Sequence, residues 1–360
     1  MPKVLLTGSA GFIGYHVFKR LQKQGVDVLG VDNLNNYYDV NLKLGRLNDC
    51  GFDLGRLNDC GFDLETIAYG RVVDSPAGGR FLQMNLEDRA GAMSLFQNES
   101  FDLVCHLAAQ PGVRYSLENP YAYIDSNITA FLNILEGCRH HRIKHLVFAS
   151  SSSVYGLNSK IPFTVEDPVD HPVSLYAATK KSNELMAHCY SYLYDLPVTG
   201  LRFFTVYGPW GRPDMALFKF TRAILEDKPL PVFNHGELER DFTYVDDIVE
   251  GVVRVLFGPT PEGDPDWIQH PATARSLKPY HIYNIGNGHP VKLLDFICAI
   301  EKAVGKKAVI DSLPMQPGDV YKTWADTSAL QHDYHFHPET PLEEGVRRFV
   351  EWYLDYYRRK

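Results

Sequence analysis

The opening stretch "PKVLLTGSAGFIG" constrains this 360-residue chain more than any other feature. An aliphatic run ends at Thr7, glycines follow at 8, 11 and 14, and helical periodicity begins directly behind them. The chain must therefore turn sharply from strand into helix. A side chain at those positions would keep a pyrophosphate from the backbone N–H groups at the helix N-terminus. Glycine-rich turns also arise for structural reasons, and the spacing is Gly-x-x-Gly-x-x-Gly instead of Gly-x-Gly-x-x-Gly, so the surroundings decide. Asp32 closes the second apolar run, about 20 residues on, where a carboxylate accepts hydrogen bonds from the adenosine ribose hydroxyls and repels a 2′-phosphate. The segment reads as an NAD site, with Gly8, Gly11, Phe12, Ile13, Gly14 and Asp32 as cofactor contacts.

Short β-branched runs at 3–8, 26–32, 80–85, 102–108, 145–151 and 197–204 alternate with helical segments such as 12–24, 121–141 and 174–194. Alternation of this kind means βαβ units, hence an α/β chain with a Rossmann-type doubly wound parallel sheet. The expected boundaries are an NAD-binding domain over 1–204, with returns near 240–256 and 281–286, and a smaller, interleaved α/β C-terminal lobe over 205–360. Residues 258–280 read as a Pro-rich loop. The tail "EEGVRRFVEWYLDYYRRK" reads as an amphipathic packing helix.

Residues 44–63 are one decamer, "LGRLNDCGFD", written twice without change. No third copy exists, which excludes a solenoid. The pair lies in the connection between the second and third parallel strands, on the adenosine side of the expected site. A longer connection there costs little, since loop closure grows only logarithmically with length. The duplication reads as tolerated; contact with the cofactor's adenosine end is the functional alternative.

A net charge of −8 argues against general nucleic-acid or anionic-membrane binding. No apolar run reaches the roughly 20 residues of a membrane span, and a strand at the second residue leaves no room for a signal peptide. Six cysteines without a Cys-x-x-Cys pair, Cys105 and Cys298 among them in apolar runs, read as buried thiols of a cytoplasmic protein. No metal site is expected.

"SLYAATKK" places Tyr176 and Lys180 four residues apart, on one face of a helix. Ser151 stands among four serines at the end of the fifth run. A free phenol with pKa about 10 is a poor base at neutral pH. A neighbouring ammonium and a nicotinamide cation stabilise its phenolate, and about 4 kcal/mol of such stabilisation lowers the pKa by about 3 units. The serine hydroxyl then holds the reacting oxygen and shares its proton. Tyr-x-x-x-Lys alone is equally an exposed helix face; beside a dinucleotide turn and a serine-lined strand end, it reads as the catalytic set Ser151, Tyr176 and Lys180.

From "TGSAGFIG" through "AAQPGVRYSLENP", "SSSSVYG" and "YAATK" to "RDFTYVDD", the chain resembles the extended short-chain dehydrogenase/reductases. The resemblance implies tightly held NAD, a Ser/Thr-Tyr-Lys set and a nucleotide sugar in the smaller lobe. It also implies that Asn33, Leu107, Ala108, Ala109 and Asn127 line the cofactor pocket. Near the adenine many relatives carry aspartate before leucine; here Asn85 and Leu86 stand, and asparagine keeps an acceptor while adding a donor.

"RFFTVYGPWGRPDMALFKF", "DNLNNYYDVNLK", "SLYAATKKSNELMAH" and "MQPGDVYKTWAD" resemble the UDP-glucuronate 4-epimerases. That resemblance puts Ser151, Ser152, Ser153, Thr205 and Arg212 around a sugar carboxylate, which suits a planar guanidinium. A surface salt bridge is the other reading of Arg212. The resemblance also gives Arg240 and Asp319 to the diphosphate and uridine, and Arg114 is added as an anion contact. Gln316 stands where UDP-galactose epimerases typically carry arginine. Alternatives are a 4-epimerase of a neutral or N-acetylated UDP-hexose and, in a different class, a non-catalytic NAD-binding regulator. Relatives commonly dimerise through helices that correspond to 121–141 and 176–194, which implies a homodimer.

Overall fold

The computed structural model describes residues 2–52, 54, 69–315 and 321–358. The strands are β1 Lys3–Thr7, β2 Asp27–Asp32, β3 Val72–Asp74, β4 Arg80–Gln83, β5 Leu103–His106, β6 His145–Ser151, β7 Val198–Phe203, β8 Thr205–Tyr207, β9 Pro229–Val232, β10 Glu239–Tyr244, β11 Tyr280–Ile285, β12 Pro290–Lys292 and β13 Val309–Ser312. The α-helices are α1 Phe12–Lys23, α2 Val40–Asp49, α3 Arg89–Asn98, α4 Tyr115–Glu118, α5 Pro120–Tyr123, α6 Ala130–His140, α7 Leu175–Tyr194, α8 Ala216–Leu225, α9 Val245–Phe257, α10 Leu293–Val304, α11 Ser328–Tyr334 and α12 Leu342–Arg358.

Eight strands form one sheet in the order β11-β7-β6-β5-β1-β2-β4-β3. Pairing from β4 through β2, β1 and β5 to β6 is parallel, and β3 adds an antiparallel edge. Helices on both faces bury the central strands, so they read as continuous apolar runs without alternation. Leu5, Val104 and Phe148 are fully buried. The edge strand β3 was not expected from sequence: three residues, none of them buried, carry no periodicity.

The chain divides into two compact units, one of Met1–Asn158, Val165–Arg202 and Val252–Tyr283, the other of Ser159–Thr164, Phe203–Gly251 and Asn284–Lys360. The second contains a three-stranded sheet, β12-β10-β8, and a two-stranded sheet, β13-β9. Its last helix, α12, buries Val346, Phe349, Val350 and Tyr353. Phe218 from α8 packs against Phe349 and Tyr353, which makes the aromatic face of α12 a packing surface.

Two expectations need correction. The helix expected over 121–141 is interrupted: between α5 and α6 the residues Ile124–Thr129 form a wider π-helical turn. Within it the Asn127 carbonyl accepts a bond from the Asn183 side chain at 2.6 Å, the kind of insertion that distorts a helical ladder. The thiols are not all buried either: Cys50, Cys105 and Cys138 are, whereas Cys298 is half-buried and Cys189 is exposed on α7. All five are free, and no group of His, Cys, Asp and Glu among the described residues could hold a metal ion. No described helix is long and apolar enough to cross a membrane.

The first decamer copy forms most of α2 and its exit, and it docks on α1. Tyr15 donates to Asp49 at 2.5 Å, Gln22 Nε2 donates to the Cys50 carbonyl at 2.9 Å, and Phe52 packs on Phe18. Nearly all of the second copy lies outside the described residues. Because the copies are identical, removal of either leaves the same chain, with Arg46, Asp49 and Phe52 still in place. Deletion of residues 54–63 is therefore expected to leave thermal stability, NAD retention and turnover essentially unchanged. Thermal unfolding and the nucleotide released on denaturation check this, and loss of bound NAD would overturn it.

Candidate active site

β1 delivers the chain into the glycine turn at the sheet's centre. Gly8 has φ +71°, donates its N–H to the Val31 carbonyl at 2.7 Å, and lies so near Ala108 that a Cβ would sit 2.8 Å from that residue's nitrogen. A Cβ on Gly14 would lie 2.0 Å from the Gly8 carbonyl oxygen. These approaches press the turn onto the strand ends. Helix α1 then starts from Gly11 without any side-chain cap, so Phe12, Ile13 and Gly14 head a helix whose first N–H groups suit a phosphate.

Asp32, at the end of β2, is nearly buried. One carboxylate oxygen accepts the Ala10 N–H at 3.1 Å and the other the Leu34 N–H at 2.9 Å. Asn33 follows, its side chain capping the Asn35 N–H at 3.1 Å. Asn85 and Leu86 follow β4; the Asn85 N–H donates to the Tyr69 hydroxyl at 3.0 Å, and Leu86 is buried. This turn, its uncapped helix and the Asp32 carboxylate fit an NAD pyrophosphate and adenosine.

Leu107, Ala108 and Ala109 follow β5, held by a side-chain network. Thr7 Oγ1 accepts the Ala108 N–H at 3.1 Å and lies 2.8 Å from His106 Nδ1. Burial, then the charge of Lys180, pushes the His106 imidazole down to about 3, so it is neutral at physiological pH. Asn127 pairs its amide with both backbone groups of Gln110, at 2.8 and 3.1 Å, and donates to Thr179 Oγ1 at 3.0 Å. Thr179 in turn donates to the Tyr176 carbonyl at 2.8 Å. Asn127 thus ties the loop after β5 to the helix that carries Tyr176.

That helix, α7, is capped by Ser174, whose Oγ accepts the Ala177 N–H at 3.1 Å. Tyr176 packs edge-on against Tyr123 at 6.1 Å. One turn on, buried Lys180 donates to the Ala149 carbonyl at 2.9 Å, two residues before Ser151 at the end of β6. Burial lowers the Lys180 ammonium to about 8. Ser151 Oγ donates to Ser153 Oγ at 3.1 Å and accepts the Ser153 N–H at 3.2 Å, which starts the helical turn of Ser152–Tyr155.

Beneath this set lies an ion pair that sequence reading missed. Glu184, a further turn along α7, accepts two bonds from Arg202 on β7, at 2.9 and 3.0 Å, and one from Ser150 at 2.6 Å. Each side chain is 1% exposed. Arg202 also donates to the Tyr155 hydroxyl at 3.1 Å. The spacing Tyr176, Lys180, Glu184 marks one helix face; nothing local pointed to Arg202.

In the second unit, Thr205 begins β8 and faces Phe242 of β10. Arg240, on β10, donates to the carbonyls of Glu239 and Tyr321 at 2.9 and 3.2 Å. Arg212 forms a fork-to-fork pair with Asp214, at 2.9 and 2.5 Å. Part of the guanidinium proposed for a sugar carboxylate is thus held by a carboxylate of the chain itself. Arg114 is exposed at the start of α4, and Asp319 and Gln316 lie outside the described residues.

Known proteins resemble this chain over nearly its whole length. Protein CapI of Staphylococcus aureus is 51% identical over 99% of this chain and 100% of its own length. A probable UDP-glucuronate 4-epimerase of Rhizobium meliloti (strain 1021) is 45% identical over 99% and 98%. The crystal structure of UDP-glucuronic acid 4-epimerase from Bacillus cereus, with UDP-glucuronic acid and NAD, superimposes with a TM-score of 0.81 at 32% identity, covering 99% of this chain and 100% of that one. The profile of the NAD dependent epimerase/dehydratase family matches residues 4–286, a span that includes the glycine turn, Asp32, Ser151, Tyr176 and Lys180. That match covers the glycine turn after β1, the strand end that carries Ser151 and the α7 face that carries Tyr176 and Lys180, and the chain belongs to the NAD-dependent epimerase/dehydratase family.

Proposed function

We propose that the protein is an NAD-dependent 4-epimerase of a UDP-sugar, with UDP-glucuronate converted to UDP-galacturonate. The observation that carries this reading is the bond from Lys180 to the Ala149 carbonyl, which sets the Tyr176 helix face beside the Ser151 strand end in a protein with an NAD cradle. Sequence identity to the Rhizobium meliloti relative and likeness to the Bacillus cereus enzyme support the sugar.

NAD, when bound, supplies reversible hydride acceptance and release. Tyr176 takes the proton of the sugar 4-hydroxyl as C4 is oxidised and returns it afterwards. Ser151 donates to the same oxygen and holds it for that transfer. Lys180 stabilises the phenolate form of Tyr176, and its lowered ammonium still carries its charge at neutral pH. The 4-keto sugar turns about its diphosphate link, presents its other face and is reduced with inverted configuration. Arg240 and Asp319 hold the diphosphate and uridine ends, with Arg114 as a further anion contact. No net oxidation occurs, so Asp32, Asn33, Asn85, Leu86, Leu107, Ala108, Ala109 and Asn127 need to retain NAD throughout turnover.

A 4-keto uronate is a β-keto acid, and it loses carbon dioxide when its carboxylate stands perpendicular to the carbonyl plane. Ser152, Ser153, Thr205 and Arg212 hold the carboxylate at another torsion in this reading. Arg212→Ala is expected to lower kcat/KM for UDP-glucuronate about 10- to 100-fold, the loss of a charge-assisted contact. Turnover of UDP-glucose should change far less, and equal losses with both sugars would sink the clamp. A neutral UDP-hexose is the second reading, and the Arg212–Asp214 pair favours it because that fork is occupied. Proton NMR of each sugar nucleotide, incubated with the protein and no added NAD, separates the two; unchanged UDP-glucuronate would reject the leading reading.

Exposed Leu132 on α6 and Leu185, Tyr192 and Leu193 on α7 support a homodimer through these helices, which sedimentation at twice the chain mass would test. Free thiols support a cytoplasmic location. UDP-galacturonate from such an enzyme would feed polysaccharide biosynthesis.

A further inference from the structure

Helix α2 carries two cations, Lys43 and Arg46, one turn apart and turned inward; both are buried. Burying an ammonium or guanidinium is costly without acceptors, so the surroundings of each are informative. Arg46 donates to the Ala10 carbonyl, inside the glycine turn, at 2.7 Å and to the Tyr38 hydroxyl at 2.6 Å. That fastens the helix to the turn. Lys43 donates to Asn35 Oδ1 at 2.8 Å and lies over the Tyr38 ring, 5.1 Å from its centroid. Among the described residues it also pairs with Asp32, whose nearer oxygen is 3.9 Å away.

That separation is too long for a hydrogen bond and suited to one bridging hydroxyl. Both Asp32 oxygens already accept a backbone N–H, and each keeps a second lone pair. A ribose hydroxyl donates and accepts at once, so it can donate to Asp32 and accept from Lys43. We propose that Lys43 is a cofactor-binding residue whose ammonium donates to the adenosine ribose of NAD, opposite the Asp32 acceptor. Asp32 alone selects against a 2′-phosphate; the pair recognises a free hydroxyl by both of its capacities. Asn35 and the Tyr38 ring hold the ammonium in position, and Arg46 sets the depth of the helix that carries it. The inference rests on the NAD reading of the glycine turn, and a binding measurement without sugar nucleotide separates its failure from failure of the epimerase assignment.

The test compares NAD with its adenosine 2′-deoxy and 3′-deoxy analogues by calorimetric titration of the full-length protein stripped of nucleotide. The parent protein should bind NAD about 10- to 100-fold more tightly than at least one analogue, the worth of one hydrogen bond to a charged group. Lys43→Met should weaken NAD by a similar factor, lose most of that discrimination and release NAD during purification. Lys43→Arg should recover part of the affinity. A Lys43→Met protein that binds all three nucleotides as the parent does, or loses affinity for all three equally, overturns the proposal. If that variant fails to fold, equal binding of NAD and both analogues by the parent overturns it, and discrimination that the arginine variant alters supports it.

Discussion

Replacing Tyr176 with phenylalanine is expected to lower kcat by about 10²- to 10⁴-fold, the range for loss of a positioned general acid and base. The substitution keeps the ring that packs edge-on against Tyr123 and the backbone carbonyl that Thr179 holds, so the helix face should stand unchanged. Only the phenol is lost. Sugar binding should therefore change little, and the variant should still copurify with NAD, since the cradle of Gly8, Gly14 and Asp32 is untouched. Proton NMR of UDP-glucuronate and UDP-galacturonate at equal enzyme concentrations reads turnover, and nucleotide release on denaturation reads retention. Activity within tenfold of the parent would remove Tyr176 from the role assigned to it.

The second large effect concerns stability. Glu184 and Arg202 compensate each other in a nearly water-free setting, and removing one partner leaves the other charged and buried. Arg202→Met is expected to cost about 3–5 kcal/mol, far more than loss of an exposed pair. The double variant Glu184→Met with Arg202→Met should cost clearly less than the sum of the single changes, because no orphan charge remains. Urea unfolding of the four proteins, followed by two probes, measures this; additive losses would mean that the pair is not coupled.

The same pair predicts a pH dependence. Burial alone would raise the Glu184 carboxyl, but the Arg202 charge, its hydrogen bonds and the Ser150 hydroxyl outweigh burial and hold it below the ordinary glutamate range. A carboxyl depressed in the folded state contributes stability that is fully present above its unfolded pKa, about 4.3, and fades as pH falls through the folded value. The Glu184→Met, Arg202→Met protein should lose less stability than the parent between neutral pH and that acid range.

Much of the first unit could be read from local pattern. The β1–turn–α1 segment needs only an apolar run, three glycines and a helical period, and its reading survives in detail at Gly8 and Gly14. Tyr176 and Lys180 were visible because a helix fixes which residues share a face. β3 was invisible, since three unburied residues carry no period. The π-helical turn was invisible too: it depends on Asn183 meeting the Asn127 carbonyl from another helix. The decamer drew attention by its repetition, whereas the two buried cations are Lys43 just before it and Arg46 inside it. Two inward cations one turn apart were a usable signal.

Sequence by itself determined the fold class, the dinucleotide turn and the helix face that Tyr176 shares with Lys180, because each is written in a short span whose geometry the backbone enforces. Only tertiary structure decided what those residues meet. Lys180 finds the Ala149 carbonyl 31 positions away, Asn127 finds Thr179 52 away, and Lys3 finds Asp102 99 away. The order in which strands join the sheet sets such pairings, and it depends on burying apolar faces throughout the unit. Arg212 makes the same point: its sequence neighbourhood suggested a sugar carboxylate, and the folded loop supplies Asp214 first.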